Sequence, residues 1–326
     1  MRFVIRRAGF FLLTLWACLS LNFFLPRLMP GSPADRIIAH LHGAVSQATV
    51  RAIELSLGIN NTQGIWTQYV AYLGHTATGN LGFSYSQGEP VSEVIAGALP
   101  WTLGLVGITT ILAFILGTAI GAVAAWRRGS RFDSVMPPLF VFTTAIPFFW
   151  VGMVLILIFS VYLGWLPAGG NIGQLAIPSF SPSYLGDVLV HAILPALTLL
   201  ITGIGGWVLT MRNNMVTTLT EDYVRMARAK GLSSARVMVD YGARNAILPN
   251  LTGFAMSLGF VVSGAILVEY VFNYQGVGYY LLNAVGYDDY PLMQGLFLII
   301  TVAVLAAILL SDIATAILDP RTRTAG

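Results

Sequence analysis

Few side chains in this sequence can do chemistry, and their positions narrow what that chemistry is. The 326 residues hold 17 Lys and Arg against 14 Asp and Glu. Two carboxylates, Glu269 and Asp312, fall within long apolar runs. Carboxylates at membrane depth are functional candidates by default. Glu269 has two readings, a gate or pathway contact, or an interfacial residue near an outer mouth paired with a neighbour. Asp312 reads most simply as a helix-packing hydrogen bond. An aspartyl protease in a membrane needs two opposed aspartates, and Asp312 has no aspartate mate in another run. A serine version needs Ser and His in facing spans, whereas His191 stands at a run boundary. His40-x-His42 could grip a metal, but no cysteine or carboxylate cluster joins it. Cys18, the sole cysteine, excludes an internal disulfide and a multi-cysteine zinc site. A phosphate loop requires Lys followed by Ser or Thr. The one lysine, Lys230, is followed by Gly231, so nucleotide energy must enter through another chain.

The densest charge lies in "EDYVRMARAKGL", Glu221 to Leu232, which holds Glu221, Asp222, Arg225, Arg228 and Lys230. Thr218-Leu219-Thr220-Glu221 has the form of a capping box, which predicts a helix start at Thr218. Glu221 and Arg225 are spaced as a favourable i,i+4 pair. Acid at the start and base at the end suit the helix dipole, and Gly231 is placed for a left-handed C-terminal cap. Tyr223, Ala227 and Gly231 are expected on one face, where small residues would let another surface come close. A second short helix is expected over Ser234–Asn245. Such a segment is either an amphipathic helix lying on a membrane or a docking helix for a soluble partner.

The elements that must position these residues are apolar. The chain is 56% hydrophobic and only 10% charged, with mean hydropathy +0.76, against about 25% charged in soluble domains. Six runs are long enough to cross a bilayer, which takes about 20 residues: 8–28, 101–126, 135–163, 189–212, 248–271 and 292–318. Pro100, Pro249 and Pro291 stand at expected helix starts, and Pro147 and Pro195 are expected to bend the third and fourth runs. Arg2, Arg6 and Arg7 precede the first run, which reads as a retained span and not a cleaved leader. With the N-terminus inside, only Arg27, Arg36 and Arg51 of the 17 basic residues fall outside, so both termini are expected in the cytoplasm. The net charge of +3 then reflects anionic lipid, not nucleic acid. This gives an all-α polytopic membrane protein: an N-terminal tail and first helix over 1–28, an external scaffold over 29–99, and a five-span core over 100–326 with a cytoplasmic loop over 213–247. Short helices are expected over Val45–Leu57 and Trp66–Leu73, and turns over Gly79–Val91. Segments 164–188 and 272–290 are expected as outer loops whose aromatics, among them Trp165, Tyr184, Tyr274, Tyr279 and Tyr280, suit an interfacial belt.

The loop "EDYVRMARAKGLSSARVMVDYGARNAILP" resembles the EAA loop of importer-type ABC permeases, and most of all the branch for dipeptides, oligopeptides, nickel and opines. Tyr223-Val224-Arg225, Ala229-Lys230-Gly231-Leu232, Arg244-Asn245-Ala246 and Leu248-Pro249 carry the likeness. "PGSP" at Pro30, "GNLGFSYSQGEPV" at Gly79, "RRGSRFD" at Arg127, "AIPFFW" at Ala145, "HAILPALTL" at His191, "GAILVEYVF" at Gly264 and "LDPRTR" at Leu318 extend it over nearly the whole chain. Ser32 and Asn80 stand where the family usually has aspartate, and Gln275 where it usually has proline.

The resemblance implies a subunit that binds no cofactor itself, with ATP and Mg on partner chains. The implied partners are a second related permease, two ATP-binding subunits, an extracytoplasmic solute-binding protein and the lipid bilayer. It implies that Glu221, Asp222, Tyr223, Arg225, Ala227, Arg228, Lys230 and Gly231 seat on an ATPase. Glu269, Phe272, Pro147 and Phe148 are the pathway or gate candidates. Peptides are the first expectation for the solute, with oligosaccharides, nickel or opines as the alternative. A channel or secondary transporter would not need the loop.

Overall fold

The computed structural model describes residues 2–28, 64–173, 179, 181–263 and 265–318; the side chains of 2–8, 26, 27 and 310–318 lie outside that description. The expected helix over Val45–Leu57, Ser32 and the His40-x-His42 pair fall outside it too. The regular structure of the described residues is helical apart from one short antiparallel hairpin, β1 (Phe83–Ser84) with β2 (Glu89–Pro90), which pairs Phe83 with Pro90 and Ser84 with Glu89. The helices are α1 (Arg2–Arg27), α2 (Ile65–Ala77), α3 (Val91–Trp126), α4 (Arg131–Ala145), α5 (Phe148–Tyr162) and α6 (Pro182–Thr218). They continue as α7 (Asp222–Ala229), α8 (Ser234–Ala246), α9 (Leu248–Ser263), α10 (Ile266–Val271), α11 (Val277–Gly286) and α12 (Tyr290–Leu318).

By length and composition α3, α6 and α12 can each cross a membrane. The pairs α4+α5 and α8+α9 qualify only jointly, bent by 95° and 51°. The third run is therefore not one bent helix. It breaks at Ile146–Pro147, where Ile146 is extended and Pro147 serves as N-cap of α5. Pro195 sits buried inside α6, which continues through it without a break. Pro100 does not start its helix either. Val91, Val94, Ile95 and Ala98 are buried against α11 and α12, and this apolar stripe extends α3 back to Val91. A π-helical turn at Leu103–Gly107 follows Pro100. The fifth run ends early: α9 stops at Ser263 and α10 is a separate short helix. The expected outer loop over 272–290 contains α11.

The core of the bundle is a backbone-close packing of α3, α4 and α6. A Cβ placed on Gly117 of α3 would fall 2.5 Å from Trp207 Cβ and 2.9 Å from the Ile204 carbonyl oxygen; one on Gly121 would fall 2.5 Å from the Val208 carbonyl oxygen. On the other side of α6, a Cβ on Gly205 would meet Thr144 Cγ2 at 2.6 Å and the Phe140 carbonyl oxygen at 2.7 Å. Membrane helices pack through small residues because lipid offers no hydrophobic drive between them. Buried Asn250 of α9 adds a polar tie, donating to Thr118 Oγ1 at 3.1 Å and the Trp207 carbonyl at 3.2 Å. Asp133 at the start of α4 takes a two-pronged bond from Arg212 of α6, at 2.6 and 3.1 Å.

The adjacent glycines of α6 give a sharp test. Gly206 has nothing within 4 Å of a built Cβ. Gly205→Ala should lower the melting temperature of the detergent-purified protein, through overpacking of about 1–3 kcal/mol. Gly206→Ala should leave it unchanged or slightly raised. Equal melting temperatures for the two variants would contradict the close approach.

Candidate functional site

Two features stand out: the α7–α8 segment at one end of the bundle and a cleft at the α4–α5 break. Helix α7 starts at Asp222, with Glu221 as N-cap in an extended conformation and no side-chain cap bond. The predicted capping box does not form. Met211 and Met215 are buried on one stripe with Leu219 packed beside them, so α6 runs on through Thr218. Thr220 turns instead to the Thr217 carbonyl. Arg225 pairs with Asp222 at 3.5 Å, not with Glu221, and both are largely exposed, so the pair contributes little stability. Gly231 has φ +76 and ends the helix in the expected left-handed cap. Helix α8 occupies the second expected helix, with a π-helical stretch over Val237–Ala243.

The face expected to hold Tyr223, Ala227 and Gly231 is not a single exposed surface. Ala227 and Val224 point inward and pack, buried, on Val237, Leu219, Leu232, Tyr241 and Trp126. Tyr223 is 40% exposed and its hydroxyl accepts from Asn245 of α8 at 3.1 Å. Glu221, Asp222, Arg225, Arg228, Lys230 and Gly231 are exposed. Met226, 60% exposed in the middle of this charged face, was missed by charge-based reasoning. An exposed methionine flanked by arginines is the signal that marks it. The outward face thus offers a ring of charge around an apolar centre, on a helix anchored from beneath.

The cleft measures about 860 Å³ and opens at the break between α4 and α5. Pro147 and Phe148 line it, with Thr109 and Thr110 of α3, Thr144 of α4, Thr202 and Trp207 of α6 and Ser257 of α9. Among the described residues no charged side chain lines it. The hydroxyls of Thr109, Thr144, Thr202 and Ser257 donate to carbonyls of their own helices, so their oxygens keep acceptor capacity toward the cleft.

Glu269 and Phe272 do not line this cleft. Glu269 is fully buried. Its Oε1 accepts from Thr102 Oγ1 at 2.8 Å, and its Oε2 accepts from the Gly278 and Tyr279 amides at 2.7 and 3.3 Å. Thr102 Oγ1 also accepts from the Val277 amide at 2.8 Å. The carboxylate caps the first turn of α11 and ties it to α3 and α10. Gly276 and Gly278 make room: a Cβ on Gly276 would fall 2.5 Å from Glu269 Oε2, and one on Gly278 2.5 Å from Ile266 Cα. Phe272 is buried with Leu105, Leu194, Val268 and Tyr274, and its carbonyl accepts from the Gly170 amide at 2.8 Å. In this conformation Glu269 and Phe272 are both engaged in packing and hydrogen bonds within the chain. Tyr274 is buried as well and meets Trp101 edge-on, so it is no part of an exposed aromatic belt. The Asp312 side chain lies outside the described residues.

Of the departures from the family pattern, Gln275 has a local explanation. The Gln275 amide donates to Asn171 Oδ1 at 2.6 Å, a bond that proline cannot make. Asn80 Oδ1 accepts from the Gly82 amide at 3.1 Å. The hairpin beyond it is fixed by buried Asp289, whose Oδ2 accepts from Ser84 Oγ at 2.6 Å, Ser86 Oγ at 2.7 Å and the Ser86 amide at 3.0 Å.

Apolar helices in a polytopic bundle, an uncharged cleft at a helix break and an anchored charged helix at one end define a membrane transport subunit. The chain belongs to the family of binding-protein-dependent transport system inner membrane components, whose model matches residues 117–324. It is 37% identical to a putative peptide permease protein of Brucella suis over 324 residues, 99% of each chain. It is 34% identical to the di/tripeptide transport system permease protein of Pseudomonas aeruginosa and to the oligopeptide transport system permease protein of Bacillus subtilis, each over 98% of both chains. It is thus a multi-pass inner-membrane permease subunit.

Glu269→Ala would leave the Gly278 amide buried without its acceptor, at about 1–3 kcal/mol, and the half-buried Tyr279 amide without its own. Limited proteolysis should then cut faster within 272–287, while Glu269→Gln, which keeps one carbonyl acceptor, should fall between. Wild-type cleavage rates in Glu269→Ala would contradict the clasp.

Proposed function

We propose that this chain forms half of the translocation pathway of an ATP-driven importer for di- or oligopeptides. The names of its relatives in Brucella, Pseudomonas and Bacillus support the substrate class. In this reading α1, α3, α4+α5, α6, α9 and α12 are six spans, with both termini and the α7–α8 segment on the cytoplasmic side. The distribution of basic residues supports that orientation. A second related permease completes the pathway, and an external binding protein delivers the peptide. Two ATPase subunits supply ATP and Mg chemistry and grip α7 and its twin.

The observation that carries this reading is the form of α7. Its inner face, Val224 and Ala227, is buried in the chain, while its outer face presents Arg225, Met226, Arg228 and Lys230. A helix lying on lipid would turn its apolar residues to the bilayer. Here Val224 and Ala227 are spent inside the protein, and a mainly charged face with Met226 at its centre is left for a soluble partner. The uncharged, acceptor-bearing cleft suits peptides of varied side chains, whose amide and ammonium groups are donors.

Uptake of a radiolabelled dipeptide by cells should be lost when this chain is deleted and return with the wild-type copy; retained uptake would contradict the assignment. At Gly231 a built Cβ meets nothing within 4 Å, so a bulky residue has room in the isolated chain. Gly231→Asn, which tolerates the left-handed conformation, should keep most uptake. Gly231→Arg should insert normally yet lose uptake and the ATPase subunits on purification. Normal uptake in Gly231→Arg would contradict docking at α7.

A further inference from the structure

We propose that Trp126 is the positioning residue that links α7 to the helices walling the cleft, so that displacement of α7 reaches the cleft through α3. This inference rests on the docking role given to α7 above. The apolar cluster beneath α7 is drawn from residues 219–241 with one exception among the described residues, Trp126 at the end of α3. The Arg228 guanidinium of α7 lies over the same indole, 5.6 Å from its centroid, a cation–π contact. The indole belongs equally to the neighbouring cluster of Ala122, Ala125, Met211, Met215 and Ala246, where α3, α6 and α8 meet. One flat side chain therefore sits in both contacts at once, under α7 and against the bundle.

The turn after Trp126 is itself fixed by hydrogen bonds. The chain reverses through Gly129, φ +80, and Ser130 Oγ caps α4 by accepting from the Asp133 amide. Asp133 Oδ2 accepts from the Gly129 amide at 3.1 Å, and both Asp133 oxygens engage Arg212. The helix before Trp126 transmits its motion. From Trp126 to Thr110 at the cleft, α3 runs about 24 Å at about 1.5 Å per residue. Along that length Gly117 and Gly121 bring α3 into direct contact with the α6 backbone. A push on α7 has a covalent path through Leu219–Glu221 into α6. The indole provides the second point of contact that turns a hinge into a rigid arm.

The test uses the full transporter, with both permeases, both ATPase subunits and the binding protein, in proteoliposomes. Peptide taken up per ATP hydrolysed is measured beside co-purification of the ATPase subunits. In Trp126→Ala the ATPase subunits should stay bound and hydrolyse ATP, while uptake per ATP falls about tenfold. Trp126→Phe, which keeps a flat ring under Arg228, should retain half or more of the wild-type ratio. A wild-type ratio in Trp126→Ala would overturn the proposal. So would loss of the ATPase subunits from that variant, since Trp126 would then only shape the docking surface. If Trp126→Ala fails to accumulate, Trp126→Leu decides: it keeps apolar bulk without the flat face, and its ratio should fall about threefold, an unchanged ratio overturning the inference. A wild-type complex purified without ATPase subunits would count against docking at α7 instead.

Discussion

The close approach of backbone to backbone between α6 and its neighbours α3 and α4 is the constraint on which the rest depends. At Gly117, Gly121 and Gly205 no side chain separates the helices. In lipid this contact replaces the hydrophobic drive that holds soluble bundles together. It brings Thr109, Thr144 and Thr202 to one cleft, and it puts Trp126, Met211 and Met215 side by side at the far end. The Asp133–Arg212 pair closes the same unit where the packing gives way to the connecting turn. Site and lever are therefore two ends of one packed body.

Polar groups do the remaining positioning, each at a place where the chain leaves regular helix. Glu269 orders the start of α11, Asp289 pins the β-hairpin, and Asn250 ties α9 to α3 and α6. All three are buried and bonded to groups distant in sequence. Such residues have no exposed face with which to touch a solute. Their chemistry is spent on folding, and this separates them from the cleft, whose lining is uncharged.

Much of this was legible in the sequence because membrane helices and their connecting loops carry strong signals. Apolar runs located the long helices, and Gly231 announced the end of α7. Most of the misreadings share one physical cause: tertiary burial overrode a local signal. Thr218 lost its capping role because the stripe of Met211, Met215 and Leu219 drew α6 onward. Ala227 turned inward because Val224, three positions earlier, needed a buried partner on the same face. Pro100 was absorbed into α3 because Val91, Val94, Ile95 and Ala98 packed on α11 and α12. Glu269 stood between a gate and a paired residue because apolar neighbours surround it in sequence. Its three donors lie in α3 and α11, beyond any local window. The break at Pro147 was expected only as a bend, since nothing in the local pattern sets its angle.

The central claim is that α7 and the cleft wall move as one body. Pulsed spin-label distances between Met226 on α7 and Thr144 at the cleft, in the assembled transporter with Cys18 replaced, test it most directly. The account predicts the same sharp distance distribution with and without bound nucleotide, while distances from Thr144 to the second permease change. A Met226–Thr144 distribution that shifts by several ångströms or broadens when ATP binds would contradict it.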